Sequence, residues 1–172
     1  MSHGDKFMKN IIRPAEVSDL PEIRRIYDAA KLYMNKTGNP NQWKVGYPSD
    51  KMLKNDIENH QLYVVKDINI GGVFALIPGI DPTYIEIEGA WLRDHEYAAI
   101  HRVASDGHLR GVLASSVEFA REKYPELDLR IDTHHENHIM QAAIKRLNFV
   151  ECGIIHLQNG DPRVAFQLIC ES

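Results

Sequence analysis

One segment constrains this chain more than any other. Tyr97 to Val103 alternates as a strand, passes into the turn His108-Leu109-Arg110-Gly111, and leaves it as a helix in which Val112, Ser115, Ser116 and Phe119 recur at helical spacing. A strand feeding a helix in this way brings the free amides and positive dipole end of the helix N-terminus next to the strand end. That arrangement holds anions such as a diphosphate. Gly111 lets backbone approach the anion closely, while His108 and Arg110 are able to bring positive charge. A glycine in such a turn serves tight packing equally well, so the surrounding elements have to decide between the two readings.

Those elements follow a definite order. Ile11-Ile12-Arg13 reads as a short first strand, and Asp19-Leu20-Pro21-Glu22 opens a helix running to about Met34, with Asp as cap, Pro in the first turn and Glu three residues later. Residues 36–41 break that helix, and Ser49-Asp50 cap a second one through Ile57. Residues 61–65 and 70–76 form a hairpin across the polar 66–69 segment. The helix from Gly111 to Lys123 is stopped by Pro125, 127–132 alternates as a strand, and 137–147 is a short helix. Strands over 150–157 and 164–169 complete the chain. The longest irregular segments are 36–47 and 78–94. The sum is α+β, ending β-α-β-α-β-β. One domain over 9–172 accounts for it, with 1–8 read as a mobile extension ahead of the fold.

Charge narrows the partners. The 172 residues carry 20 basic and 24 acidic side chains, intermixed, for a formal net charge of -4. That is not the one-signed field on which phosphate-backbone binding relies, so nucleic acid is not expected as a partner. Cys152 and Cys170 are too few for a disulfide framework and lack zinc spacing, which fits a reducing cytoplasm. No apolar run approaches the roughly 20 residues that cross a bilayer, so no membrane partner is expected.

From Ile11 to Leu168 the element order resembles the GNAT family of N-acetyltransferases. Val103 through Leu113 is similar to the family's central motif, a strand followed by Arg/Gln-x-x-Gly-x-Gly/Ala, with His108 in the Arg/Gln place and Gly111 as the first Gly. Asn137-His138-Ile139-Met140, followed by Leu147-Asn148-Phe149, resembles the second motif, Asn-x-x-Ala and then Leu-Gly-Phe. Asn41-Gln42-Trp43, Gly46-Tyr47-Pro48, Gly89-Ala90-Trp91-Leu92 and Ile100-His101-Arg102 resemble a bacterial subgroup of such proteins. The resemblance implies a mixed, mainly antiparallel central sheet with helices on both faces, and acetyl-coenzyme A as co-substrate without a metal. It also implies that Val103 and Ala104 hold the acetyl and pantetheine portion, that His108, Leu109, Arg110, Gly111, Val112 and Leu113 hold the diphosphate, and that Asn137 contacts the cofactor arm. Three positions depart from the family pattern. His108 replaces Arg/Gln, Leu113 stands where Gly or Ala is usual and is expected to narrow the diphosphate approach, and Asn148 replaces a Gly. Asn tolerates the left-handed conformation at a helix end.

Acetyl transfer to an amine needs a base for the amine proton and benefits from an acid at the leaving thiolate. Tyr97, Ala99 and His101 share one strand face, which in this family borders the acceptor site. His101 is the first candidate base, the alternative being a hydrogen-bonded core histidine, and Glu86 and Glu88 are further candidates. The acid position that many family members fill with Tyr is Ile144 here, which leaves Tyr97 or water. Trp43, Tyr47 and Trp91 fall in irregular segments as candidate substrate-pocket residues or lids over the core, and His135 joins them from the loop 134–138. That His-rich loop lacks metalloprotease spacing, because four places after His135 stands Ile139. Cys152 has no evident activating base, favouring direct transfer over a covalent acyl-enzyme. The expected function is acetyl transfer to a small-molecule or peptide amine, with a non-catalytic acyl-coenzyme A-binding or regulatory protein as the rival reading. The final strands are read as an edge able to pair two copies into a homodimer.

Overall fold

A computed structural model describes residues 10–171; the proposed extension 1–8 lies outside them. Eight strands form one sheet in the order β1-β2-β3-β5-β6-β8-β7-β4. They are β1 (Ile11–Pro14), β2 (Leu62–Lys66), β3 (Ile70–Pro78), β4 (Glu88–Gly89), β5 (Tyr97–Ser105), β6 (Asp128–Thr133), β7 (Val150–His156) and β8 (Pro162–Leu168), and the helices are α1 (Leu20–Lys36), α2 (Asp50–Glu58), α3 (Val112–Lys123) and α4 (His138–Arg146). Among the described residues, only β5 and β6 pair in parallel. The sheet is therefore mixed and mainly antiparallel, as the family resemblance implies.

Side-chain alternation along the strands builds the layers. Tyr63, Val65, Phe74, Leu76, Ala98 and Ile100 face α3 and α4, where they join Val112, Val117 and Ile144 in one buried cluster. Leu62, Val64, Val73 and Ala75 face the other way, onto Ile23, Ile26, Tyr27 and Leu53 of α1 and α2. A third cluster on that second face gathers Tyr84, Tyr97, Ala99, Ile155 and Ala165.

Local chemistry matches the sequence reading at most helix ends. Ser49 caps α2 by accepting from the Met52 amide at 3.1 Å. Asn148, just past α4, takes φ 71°, the left-handed turn that its family position requires. The start of α1 differs. Asp19 makes no cap hydrogen bond to α1; its buried carboxylate instead pairs with Arg13 of β1 at 2.8 Å, a charge-assisted bond, and accepts from the Glu16 amide at 2.8 Å. The placement of the final strands also differs from the reading. The last two strands are not the sheet's edges: β8 lies between β6 and β7, and the short β4 covers β7 at Glu88–Ile154 and Gly89–Gly153. The 78–94 segment, read as irregular, supplies that unforeseen strand.

The site depends on β5. It pairs with β6 only from Tyr97–Asp128 to Ile100–Ile131, after which the two parallel strands continue unpaired with each other. On its other side β5 places one extra residue against β3, since Ala75 opposes His101 while Val73 opposes Ala104. This bulge contains Arg102, at φ 53°, a conformation that costs a non-glycine residue roughly 1–2 kcal/mol. Two contacts hold it there. Arg102 donates to Asp56 of α2 at 2.7 and 3.1 Å, with both side chains nearly buried, and the Tyr27 hydroxyl donates to the Arg102 carbonyl at 2.9 Å. The Asp56→Ala substitution would strand the guanidinium, and a loss of about 3–5 kcal/mol is expected from urea unfolding.

Candidate active site

Where β5 and β6 part, a cavity of about 490 Å³ opens between the two strands. Its floor is Ala99, His101, Arg102 and Val103 of β5 with Ile131 and Asp132 of β6; Trp43 and Tyr47 close it from the α1–α2 loop, and Gly79 to Thr83 from the loop after β3. Trp43 is fixed by edge contact with Tyr27 at 5.6 Å and a tilted contact with Tyr47 at 5.9 Å.

His101 occupies the polar centre. Its Nε2 lies 2.8 Å from Asp81 Oδ2, and its Nδ1 lies 3.9 Å from Asp132 Oδ2. Asp81 is built to hold the imidazole. Its other oxygen accepts from the Thr83 amide and hydroxyl at 2.9 and 2.7 Å, and its own amide donates to the Tyr97 hydroxyl at 2.7 Å. Burial pushes the Asp81 carboxyl up, but the hydrogen bonds from His101 and Thr83 outweigh it and hold the group at about 2. Asp132 accepts the Tyr84 hydroxyl at 2.6 Å, and burial together with this carboxylate drives the Tyr84 phenol well above its ordinary range. With Nε2–H donated to Asp81, a neutral His101 keeps the Nδ1 lone pair facing the gap toward Asp132.

At the far end of β5 lies the turn. Asp106 Oδ1 accepts the His108 and Leu109 amides at 2.9 and 3.1 Å, and Ser105 Oγ accepts the Gly107 amide at 3.2 Å. Gly111, at φ 74°, then starts α3 with no side chain capping its first amides. The bare β3 backbone makes room for the turn: a Cβ on Gly71 would meet Leu109 at 2.7 Å, and one on Gly72 would meet Val112 at 2.7 Å.

No family model matches the chain, and no curated protein matches it. Solved structures do. A GNAT-family acetyltransferase from Streptococcus agalactiae is 31% identical, with a TM-score of 0.85 over 95% of this chain and 96% of its own. The chain belongs to the GNAT family of acetyltransferases. A GNAT-family acetyltransferase from Listeria monocytogenes, 16% identical with TM-score 0.68 over 92% of this chain and 93% of its own, shares the fold. So does an acetyltransferase from Salmonella typhimurium that modifies the N-terminal serine of a 50S ribosomal subunit protein, 17% identical with TM-score 0.65 over 93% of this chain and 94% of its own.

Within this GNAT chain the predicted residues divide. His101, Val103, Trp43 and Tyr47 meet in the cavity, and Ala104 lies buried on the adjoining stretch of β5. Tyr97 does not line the cavity. Its ring centroid lies 4.0 Å from the Arg130 guanidinium, as does that of Trp91. Trp91 is thereby part of the core wall, its Nε1 donating to the Tyr84 carbonyl at 2.9 Å. Glu86 and Glu88 are exposed, and Glu88 sits in β4 at the sheet edge. His135 is exposed and stacks on His134 at 4.4 Å. Ile144 is fully buried in the core, and Leu113 packs against the same core cluster.

Asn137 is engaged within the protein. It caps α4 by accepting from the Met140 amide at 3.0 Å, and it donates to Gln42 Oε1 at 2.9 Å. Sequence reasoning missed Gln42 as a site residue, although it named the Asn41-Gln42-Trp43 run. The Gln42 side chain accepts from Asn39, Thr133 and Asn137, and its carbonyl accepts from Arg163 at 2.8 Å. It thus ties the aromatic loop to β6, α4 and β8. Asp81 was missed as well, since a lone Asp-Pro in a loop carries no periodic signal.

Because the Asp81 carboxyl is held at about 2 against an ordinary 3.8, its contribution to stability is present above about pH 4 and is lost as pH falls toward 2. Urea unfolding of the protein and of Asp81→Asn at about pH 5 and about pH 2 should show an extra acid-induced loss of about 1–2 kcal/mol in the unsubstituted chain only.

Proposed function

We propose that the chain transfers the acetyl group of acetyl-coenzyme A directly to an amine bound in the cavity, with His101 as the base. The observation that carries this reading is the Asp81–His101 pair, at 2.8 Å, placed where β5 and β6 part and one strand length from an uncapped helix N-terminus.

The residues present fit the co-substrate. A side chain at Gly111 would meet nothing within 4 Å, so the turn is open. The first amides of α3 have no side-chain cap and point their positive dipole end toward an arriving diphosphate. The His108 and Leu109 amides are already given to Asp106, which leaves the helix start as the main diphosphate anchor. When bound, acetyl-coenzyme A supplies an acyl carbon activated by its thiol leaving group.

His101 accepts the amine proton at Nδ1, directly or through a water in the gap toward Asp132, while Asp81 fixes the ring and offsets the positive charge that develops. As the acceptor nitrogen bonds to the acetyl carbon, the carbon–sulfur bond breaks, and the departing sulfur takes a proton. Tyr47 is the phenol among the cavity residues and supplies that proton in this reading, in place of Tyr97. Cys152 supports direct transfer, because burial raises its thiol and its Sγ donates to the Val150 carbonyl at 3.3 Å within β7.

Calorimetric titration with acetyl-coenzyme A should show saturable binding that Gly111→Trp abolishes. That variant should fold, at a cost of roughly 1–2 kcal/mol for a left-handed non-glycine, as circular dichroism will confirm. With an accepted amine, His101→Ala should lower kcat by about 10²–10⁴-fold in a thiol-release assay while leaving acetyl-coenzyme A binding intact. Binding without turnover on any amine would favour the acyl-coenzyme A-binding alternative.

A further inference from the structure

Arg163 of β8 lines the same cavity yet is only 5% exposed. Its Nη1 donates to the Pro162 carbonyl and its Nη2 to the Gln42 carbonyl, each at 2.8 Å. Neither acceptor carries charge, and among the described residues no carboxylate forms an ion pair with it. The other internal arginines of the site region are matched: Arg102 by Asp56 at 2.7 Å, and Arg130 by two aromatic faces at 4.0 Å. Asp161, two residues away, is engaged by Lys44 at 3.6 Å. Burying a guanidinium without an anion is costly, and Arg has no accessible neutral form to relieve it. Its remaining N–H groups suit the planar fork of a carboxylate.

Strand register places this cation relative to the base. Ile100 of β5 opposes Ile131 of β6, Asp132 opposes Ala165 of β8, and Arg163 lies two residues along on the same face as Ala165. Ala165 packs with Tyr97 and Ala99 on the His101 side of the sheet. Arg163 therefore lies on the order of 10 Å from His101, across two strand spacings and along two residues. The wall of the cavity that holds both is apolar at Trp43, Ile77, Ile80, Met140 and Leu157.

Resting on the acetyltransferase reading above, we infer that the acceptor is an amino acid with an apolar side chain, its amine at His101 and its carboxylate on Arg163. The new bond is the amide between the acceptor's α-nitrogen and the acetyl carbon, and the carboxylate takes no part in the chemistry. Free amino acid, rather than the N-terminus of a protein, is selected, because an N-terminal residue has its carboxyl group consumed in a peptide bond.

The test pairs each acid with its amide. Purified full-length protein is assayed for thiol release with acetyl-coenzyme A and L-leucine, L-methionine or L-phenylalanine, each against its carboxamide, and calorimetry measures binding of the same six in the presence of coenzyme A. At least one acid should exceed its amide by about tenfold or more in kcat/KM and in affinity. Arg163→Gln should bring that ratio below about threefold, and Arg163→Lys, which keeps the charge and guards against a folding artefact, should retain part of it. Equal use of acid and amide would overturn the carboxylate assignment while leaving acetyl transfer standing, as would a preference that survives in Arg163→Gln. Preferential binding of the acids with no thiol release would keep the carboxylate site and overturn the transferase reading. Failure of all six to bind overturns the amino-acid assignment.

Discussion

The ion pair between Arg102 and Asp56 underlies the rest of this structure. Arg102 sits in a bulge at positive φ, with its guanidinium inside the protein and a carboxylate of α2 at 2.7 Å. The extra residue turns the second half of β5 away from β6, which breaks their pairing after Ile100. It also changes the strand's parity: Ala98 and Ile100 face the α3 side, yet so does Val103, while Ala104 joins the α1 side. Without that shift His101 and Val103 would share a face. With it, the cavity opens between the strands, and the turn at Gly111 lies at the end of the diverging one. A strained backbone at such a place persists only where the surroundings over-determine it, and here Asp56 and Tyr27 do so from two helices.

The second organising feature is how the polar groups of the site are satisfied. Asp81, His101, Asp132 and Tyr84 form a chain of hydrogen bonds and close contacts, each member orienting the next. Gln42 does the same for the lid, joining loop, strand and helix through one side chain and one carbonyl. Arg163 alone in this wall presents charge without an opposing charge. Lying on the order of 10 Å from the His101 imidazole, this cation gives the cavity a second pole, and the acceptor proposed above rests on it.

Much of the architecture was legible in the chain because periodicity reports burial. The apolar runs 62–65 and 73–76, the alternation in 127–132 and the helical spacing after Gly111 each correspond to faces that the structure buries. His101 was legible for the same reason, as a polar residue on the face shared with Tyr97 and Ala99. Trp91 and Tyr97 were legible as aromatics, but not in their role. Both carry an aromatic face to Arg130, thirty-nine and thirty-three residues further on, and no local pattern encodes such a partner. Glu88 read as a further candidate base, and its place at the sheet edge follows from a two-residue pairing with β7 that propensity cannot register.

The sequence by itself determined the α+β order, the strand–turn–helix at Gly111, the Ser49 and Asn148 helix ends, and the family resemblance, since each rests on residues close together in the chain. Only the tertiary structure decided that β5 bulges at Arg102, that Asp81 reaches His101 across twenty residues, that Asn137 is bound to Gln42 across ninety-five, and that Arg163 faces the cavity without a counter-charge. These are pairings between distant segments. They depend on how buried charges and hydrogen-bonding groups find partners once the sheet has brought those segments together, a condition imposed by desolvation and not by local preference.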